Sequence, residues 1–196
     1  NATNGSVAST PDEETYEHCT DVILSATPST GYHFVDWSGD VTGIENPDTL
    51  TMDDDKEVTA NFAINTYTLT VNAENGSVTV TPDQNDYDHG TEVILSATPE
   101  TGYHFVDWSG NVIGTENPDT LTMDEDKDVT ANFAINVYAL TVNSANGTVT
   151  RDPEQETYEH GTEVELTATP ETGYHFVEWF DGEISSTDNP KTVTMT

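Results

Sequence analysis

Basic residues are almost absent from this chain. Four lysines and arginines stand against 37 aspartates and glutamates in 196 residues, a net charge of −33. So acidic a surface repels phosphates, which excludes electrostatic binding to nucleic acid or to an anionic membrane. The charge is spread evenly, −12 over residues 1–71, −12 over 72–142 and −9 over 143–196, so it marks the whole surface and not a tail. Cysteine is scarcer still: Cys19 stands alone, which rules out an intrachain disulfide. No apolar run reaches the roughly 18 residues of a membrane-spanning helix, and the first residues do not read as a signal peptide, so any export signal or anchor is expected outside this segment. The chain also lacks a nucleophile elbow, a Walker loop and a recurring Cys–His pair, and no carboxylate pair stands out for acid–base work. No stretch carries helical periodicity.

What is present is repetition. "GYHFVDWSG" at residues 31–39 recurs at 102–110, and again as "GYHFVEWFDG" at 173–182. Trp37, Trp108 and Trp179 are 71 residues apart, as are Tyr16, Tyr87 and Tyr158, and Pro11, Pro82 and Pro153. That period exceeds the roughly 20–50 residues of most solenoid repeats and suits small domains strung in series. The expected boundaries are 1–65 (without its first strand), 66–136 (complete) and 137–196 (without its last strand). Asn1 aligns with Asn72 and Thr196 with Asp53, so the segment is expected to be an excerpt from a longer array, or to have its open edges covered by neighbouring chains.

Residues 67–135 show one whole unit. "YTLTV" (67–71) and "SVTVT" (77–81) alternate apolar and polar, and the "NAENG" between them predicts an Asn-Gly hairpin. "TEVILSATP" places Val93, Leu95 and Ala97 on one face; "GYHFVDW" reads as a fourth strand. "DTLTM" turns Leu121 and Met123 inward, and "DVTANFAI" alternates at Val129, Ala131, Phe133 and Ile135. Six strands and no helix predict an all-β module of about 71 residues. Tyr32, Phe34 and Trp37 enter one core only if the strand bulges between Phe34 and Trp37. The expected core is Tyr32, Phe34, Trp37 and Phe62, then Tyr103, Phe105, Trp108 and Phe133, then Tyr174, Phe176 and Trp179. An exposed aromatic platform for sugar rings is the alternative, and it requires the tryptophans to face water. The join "FAINTYTLTV" has no Gly or Pro, which predicts restricted angles between modules and an extended rod, each module roughly 30 Å across.

Three further features admit a chemical reading. The acidic turns "MDDDKE" and "MDEDKD" would offer calcium Asp53 and Asp55, or Asp124 and Asp126, although they lack the twelve-residue loop of an EF-hand; a solvated turn is the plainer reading. No other cofactor is expected. His33, His104 and His175, with His18, His89 and His160, would make a zinc site beside Asp36, Asp107 or Glu178, but no close His pair supports it and surface histidines are expected. Asn4, Asn75 and Asn146 head N-x-Ser/Thr sequons, which the turn chemistry explains without a glycan.

The string "Y-x-x-G-T-x-V-x-L-x-A-T-P-x-x-G-Y-x-F-x-x-W", then "S-G", then "N-P-x-T-x-T-M-D-x-D-K-x-V-T-A-N-F", resembles the divergent branch of the internalin B-type repeats of bacterial and archaeal surface proteins. Tyr87, Gly90, Thr91, Val93, Leu95, Ala97, Thr98, Pro99, Gly102, Tyr103, Phe105 and Trp108 carry the first part. Ser109, Gly110, Asn117, Pro118, Met123, Asp124, Asp126, Lys127, Val129, Ala131, Asn132 and Phe133 carry the rest. Cys19 departs from the usual Gly, and "WFDGEISSTDNP" (179–190) is one residue longer than its counterparts. The resemblance implies a secreted or cell-surface protein, a small β-grasp-like or β-sheet module and no shared catalytic residues. The expected role is a non-enzymatic, stiff acidic stalk, spacer or adhesive array, its partners being neighbouring repeats in the same or adjacent chains, or host or surface ligands. Calcium or carbohydrate binding once per module, and a self-assembling extracellular fibre, are the alternatives.

Overall fold

The computed structural model describes residues 2–196, and among these every regular element is a strand. By backbone contacts the chain forms two compact units. One comprises Asn1–Thr70, Val80–Leu95 and Pro118–Val129; the other comprises Val71–Thr79, Ser96–Asn117 and Thr130–Thr196.

The first repeat lies within the first unit. It supplies β1 (Gly5–Thr10), β2 (Thr20–Pro28), β3 (Tyr32–Gly39), β4 (Asp48–Met52) and β5 (Val58–Ile64); β6 (Thr66–Tyr67) opens the middle repeat. β1, β2 and β4 form one antiparallel sheet, and β3 pairs with β5 in another. Alternation decides which face turns inward: Val22, Leu24 and Ala26 of β2 and Leu50 of β4 are buried, with exposed or half-buried residues between them. Trp37 closes this core at 2% exposure, with Phe34, Val58 and Phe62 packed against it. Each large apolar side chain buried here contributes about 1.5–3 kcal/mol. The β3–β5 register shifts between Phe34 and Asp36, which is the bulge that brings Phe34 and Trp37 to one side. Phe34 and Trp37 then lie 5.3 Å apart, ring centre to ring centre, and Phe62 meets Phe34 edge-on at 6.0 Å.

The middle repeat supplies β7 (Leu69–Ala73), β8 (Gly76–Thr81), β9 (Tyr87–Asp88), β10 (Thr91–Pro99), β11 (Tyr103–Gly110), β12 (Asp119–Met123) and β13 (Lys127–Ile135). Its residues are divided between the two units. In the first unit β10 pairs with β12, burying Val93, Leu95, Leu121 and Met123, and β6 pairs with β9. In the second unit Trp108 is 2% exposed and stacks at a tilt on Phe105, 5.2 Å away.

The sheets overturn the predicted hairpin. β7 belongs to the sheet β11–β13–β7 and β8 to the sheet β12–β10–β8, so the two strands part company at the Asn-Gly sequence. A tight hairpin of the I′ type needs positive φ at both central residues. Only Asn75 has it (φ 64); Gly76 is outside that region, as are Gly5 and Gly147, while Asn4 and Asn146 repeat the turn at φ 69 and 56. One left-handed residue therefore turns a corner between sheets. Gly76 is needed for space: a Cβ there would stand 2.5 Å from the Phe133 ring, and Gly5 meets Phe62 in the same way.

The third repeat lies in the second unit and supplies β14 (Val137–Tyr138), β15 (Gly147–Asp152), β16 (Tyr158–Glu159), β17 (Glu163–Pro170), β18 (Trp179–Phe180), β19 (Ser185–Ser186) and β20 (Lys191–Thr194). The sheet β15–β17–β20 keeps the first repeat's register, Gly147 opposite Pro170 as Gly5 is opposite Pro28. Leu166 faces Lys191 where Leu24 faces Asp48, so the extra residue is absorbed in the loop before β20. Tyr158, Val164, Leu166 and Met195 form the core. The strand expected at "GYHFVEW" is reduced to Trp179, paired through β18 with β19, and Tyr174 is 56% exposed. In the first repeat the equivalent strand, β3, is paired along its length with β5.

Candidate functional site

The residues expected to carry chemistry are occupied with holding turns. Asp53 pairs with Lys56 and Asp124 with Lys127, each across three positions, and Lys127 also reaches Glu125. The hydrogen bond to the neighbouring ammonium holds the Asp53 and Asp124 carboxyls below the usual carboxylate range and raises both lysines. Asp126 Oδ1 accepts the Thr68 amide at 2.8 Å and the Thr68 hydroxyl at 3.1 Å, which lowers its pKa in turn. Thr68 is the residue between β6 and β7, so Asp126 ties off the break between these strands. Asp55 is exposed. Among the described residues no three His, Cys, Asp or Glu side chains gather into a group able to hold a metal ion. Asn4 and Asn146 are exposed and Asn75 is half-buried; each uses its carbonyl to accept an amide, from Ser29, Glu171 and Glu100 respectively.

Of the expected aromatic core, Trp37 and Trp108 are fully buried. Tyr32, Phe34, Phe62, Tyr103, Phe105, Phe133, Phe176 and Trp179 are half-buried. Each indole N–H is satisfied by a backbone carbonyl: Trp37 by Glu45 at 2.8 Å, Trp108 by Glu116 at 2.8 Å and Trp179 by Asp188 at 2.9 Å. Two further anchors escaped the sequence reading. Tyr87 and Tyr158, at 2% and 1% exposure, donate their hydroxyls to the carbonyls of Pro82 and Pro153. Asn46, Asn117 and Asn189 clip their side chains onto Ala26, Ala97 and Ala168, each Oδ1 accepting that alanine's amide and each Nδ2 donating to its carbonyl. The recurrence of Tyr every 71 residues, and of Asn-Pro at spacings of 71 and 72, was the available signal, but their partners are backbone groups, which a sequence does not display.

The recurring constellation that joins one repeat to the next is the candidate site. At the first join the Asn65 amide donates to Gly31 O and its carbonyl accepts the His89 amide, both at 2.8 Å. Asn65 Oδ1 lies 2.8 Å from His33 Nδ1. The His89 ring rests directly on Gly31, leaving no room for a Cβ, and Gly31 has φ +80. Tyr67 flanks that ring at 5.9 Å. The second join repeats this with Asn136, Gly102, His160, His104 and Tyr138: the Asn136 amide donates to Gly102 at 2.7 Å, and the His160 amide donates to Asn136 at 2.8 Å. Each join lies wholly inside one compact unit, and the division between units passes through the middle repeat instead.

This corrects the expectation that all histidines are surface residues. His18, His33, His104 and His175 are exposed, but His89 and His160 are half-buried against the preceding repeat's glycine. His89 Nδ1 is buried with no hydrogen-bond partner, which costs about 1–3 kcal/mol and is tolerated only where packing returns more.

The divergent InlB B-repeat domain matches the chain three times, at residues 1–66, 67–137 and 138–196. The chain belongs to this family. No curated protein is similar enough to count as a match. The three matches account for the triplication of the tryptophan, the tyrosine anchor and the asparagine clip as the furniture of one repeated β domain. InlB-type repeats are generally non-catalytic and typically extracellular or surface-associated. Among the described residues no helix is long and apolar enough to cross a membrane.

Proposed function

We propose that this InlB-type repeat array is a non-enzymatic spacer of a secreted or cell-surface protein, a stiff acidic stalk that holds what it carries at a set distance. The observation behind it is the join: a residue shared by two hydrogen bonds, Asn65 or Asn136, beneath a histidine ring packed on a glycine. A flexible linker loses orientation within a few residues. Here three consecutive contacts fix the backbone at the point where it passes between repeats, so neighbouring repeats keep their relative direction. The charge of −33 adds a hydrated, mutually repelling surface that resists collapse and self-adhesion.

The test is nitrogen-15 relaxation of the intact chain. Rigid joins make all three repeats tumble with a common, long correlation time; joins that swivel give each repeat a shorter one of its own, and that result rejects the stalk. Calcium is the second thing to check, since Asp53, Asp124 and Asp126 already have protein partners. The expected outcome is no thermal shift at millimolar calcium.

A further inference from the structure

In the middle repeat an early strand and the last strand are neighbours. β7 and β13 lie far apart in sequence, yet both belong to the sheet β11–β13–β7, with β13 in the centre. Their directions agree. Thr68, just before β7, meets Lys127, the first residue of β13, whose amide donates to Thr68 O at 2.9 Å. Further along, Ala73 and Ala131 correspond to Ala2 and Ala60 of the first repeat, and that pair bridges in parallel. The chain therefore enters these paired strands at Leu69 and leaves them at Ile135 from the opposite end.

That arrangement decides how a pull along the chain is resisted. Tension draws β7 back toward its start and β13 on toward its end, so the strands must slide past each other and the bonds between them are loaded together. Antiparallel neighbours would leave the sheet side by side, and tension would open their bonds one at a time. Resistance to pulling is set by the unfolding barrier and not by equilibrium stability. Three features hold the strands against sliding. Thr68 is latched where load enters: Asp126 Oδ1 accepts its amide at 2.8 Å and its hydroxyl at 3.1 Å, while its carbonyl accepts the Lys127 amide. β13 is also paired with β11 on its other flank. Its inward side chains are anchored, Val129 at 0% and Ala131 at 2% exposure, and the Phe133 ring lies so close over Gly76 that no Cβ fits between.

We propose that the β7–β13 pair, latched at Thr68, is a shear lock, and that the repeat has a second, mechanical function: it bears tensile load along the chain without extending. This goes beyond the spacer reading. A spacer sets a distance and needs stiff joins, whereas swivelling joins still pass tension to the lock, so either reading can fail alone.

Single-molecule pulling on the intact chain, in a Cys19→Gly background, tests the lock in two geometries. Handles at Thr70→Cys and Val137→Cys, both exposed, shear the strand pair; handles at Thr70→Cys and Glu125→Cys, the latter also exposed, pull on the neighbouring strand starts and peel it. The lock predicts that shearing needs several times the force of peeling at the same pulling speed. The shear event should release about 200 Å of chain, the extended length between residues 70 and 137 less the folded span. Asp126→Ala lowers the shear force, and retained amide-exchange protection of β10 and β12 shows that this variant is still folded. Equal forces in the two geometries overturn the proposal, as does a shear event too weak to separate from the stretching of unfolded chain. An unchanged shear force in Asp126→Ala overturns the latch.

Discussion

Single residues divide here into those that fill space and those that make room. Trp108, buried with its N–H bonded to Glu116, is expected to cost about 3–5 kcal/mol on truncation to Ala. Trp179 is half-buried, so the same change costs less there, and urea unfolding followed at each repeat separates the two. Cys19 occupies the place of Gly90 and Gly161, and it holds the left-handed conformation at φ 67 that they hold at 84 and 83. A non-glycine residue is strained there, so Cys19→Gly is expected to stabilise the first repeat by about 0.5–1 kcal/mol, read as a raised unfolding midpoint. Asp126 gives a pH prediction. Its carboxyl is lowered by Thr68, so the stabilisation is present above the ordinary carboxylate pKa of about 4 and is lost as pH falls through the lower folded value. The melting-temperature deficit of Asp126→Ala should therefore be full at pH 6 and shrink below about pH 4.

At the scale of elements, the two β-strand faces were legible and their partnerships were not. Val93, Leu95, Leu121 and Met123 alternate in the sequence and are all buried, because a period of two has one structural meaning. The alternation of β7 and β8 says only that each has an inner face; it is the same whether they pair with each other or with different sheets. The sequence "NG" favoured the hairpin, and the space Phe133 takes above Gly76 decided for the corner. That account predicts a coupled effect. Gly76→Ala destabilises in the parent through the Phe133 ring, and Phe133→Ala relieves the added methyl, leaving a double-mutant interaction of about 0.5–3 kcal/mol. A simple turn glycine would show none. Histidine placement failed for a related reason, since the glycine that receives His89 lies 58 positions earlier at Gly31 and nothing local announces it.

For the molecule as a whole, charge and joins act together. With −33 spread over three repeats, self-repulsion opposes compaction, and added salt screens it; the melting temperature is expected to rise between about 10 mM and 0.5 M sodium chloride. The triplication was fully readable from the 71-residue recurrence in the sequence. The clamp at each join was not, because it rests on two backbone hydrogen bonds and one ring-on-glycine contact. Its most direct test is a pair of spin labels at Thr49→Cys and Thr120→Cys, exposed and equivalent positions on β4 and β12, in a Cys19→Gly background. Pulsed dipolar spectroscopy should return one narrow distance distribution that is unchanged by salt and broadens when Gly31→Val displaces the His89 ring. A broad distribution in the parent, no different from that of Gly31→Val, would contradict the rigid join and the stalk built on it.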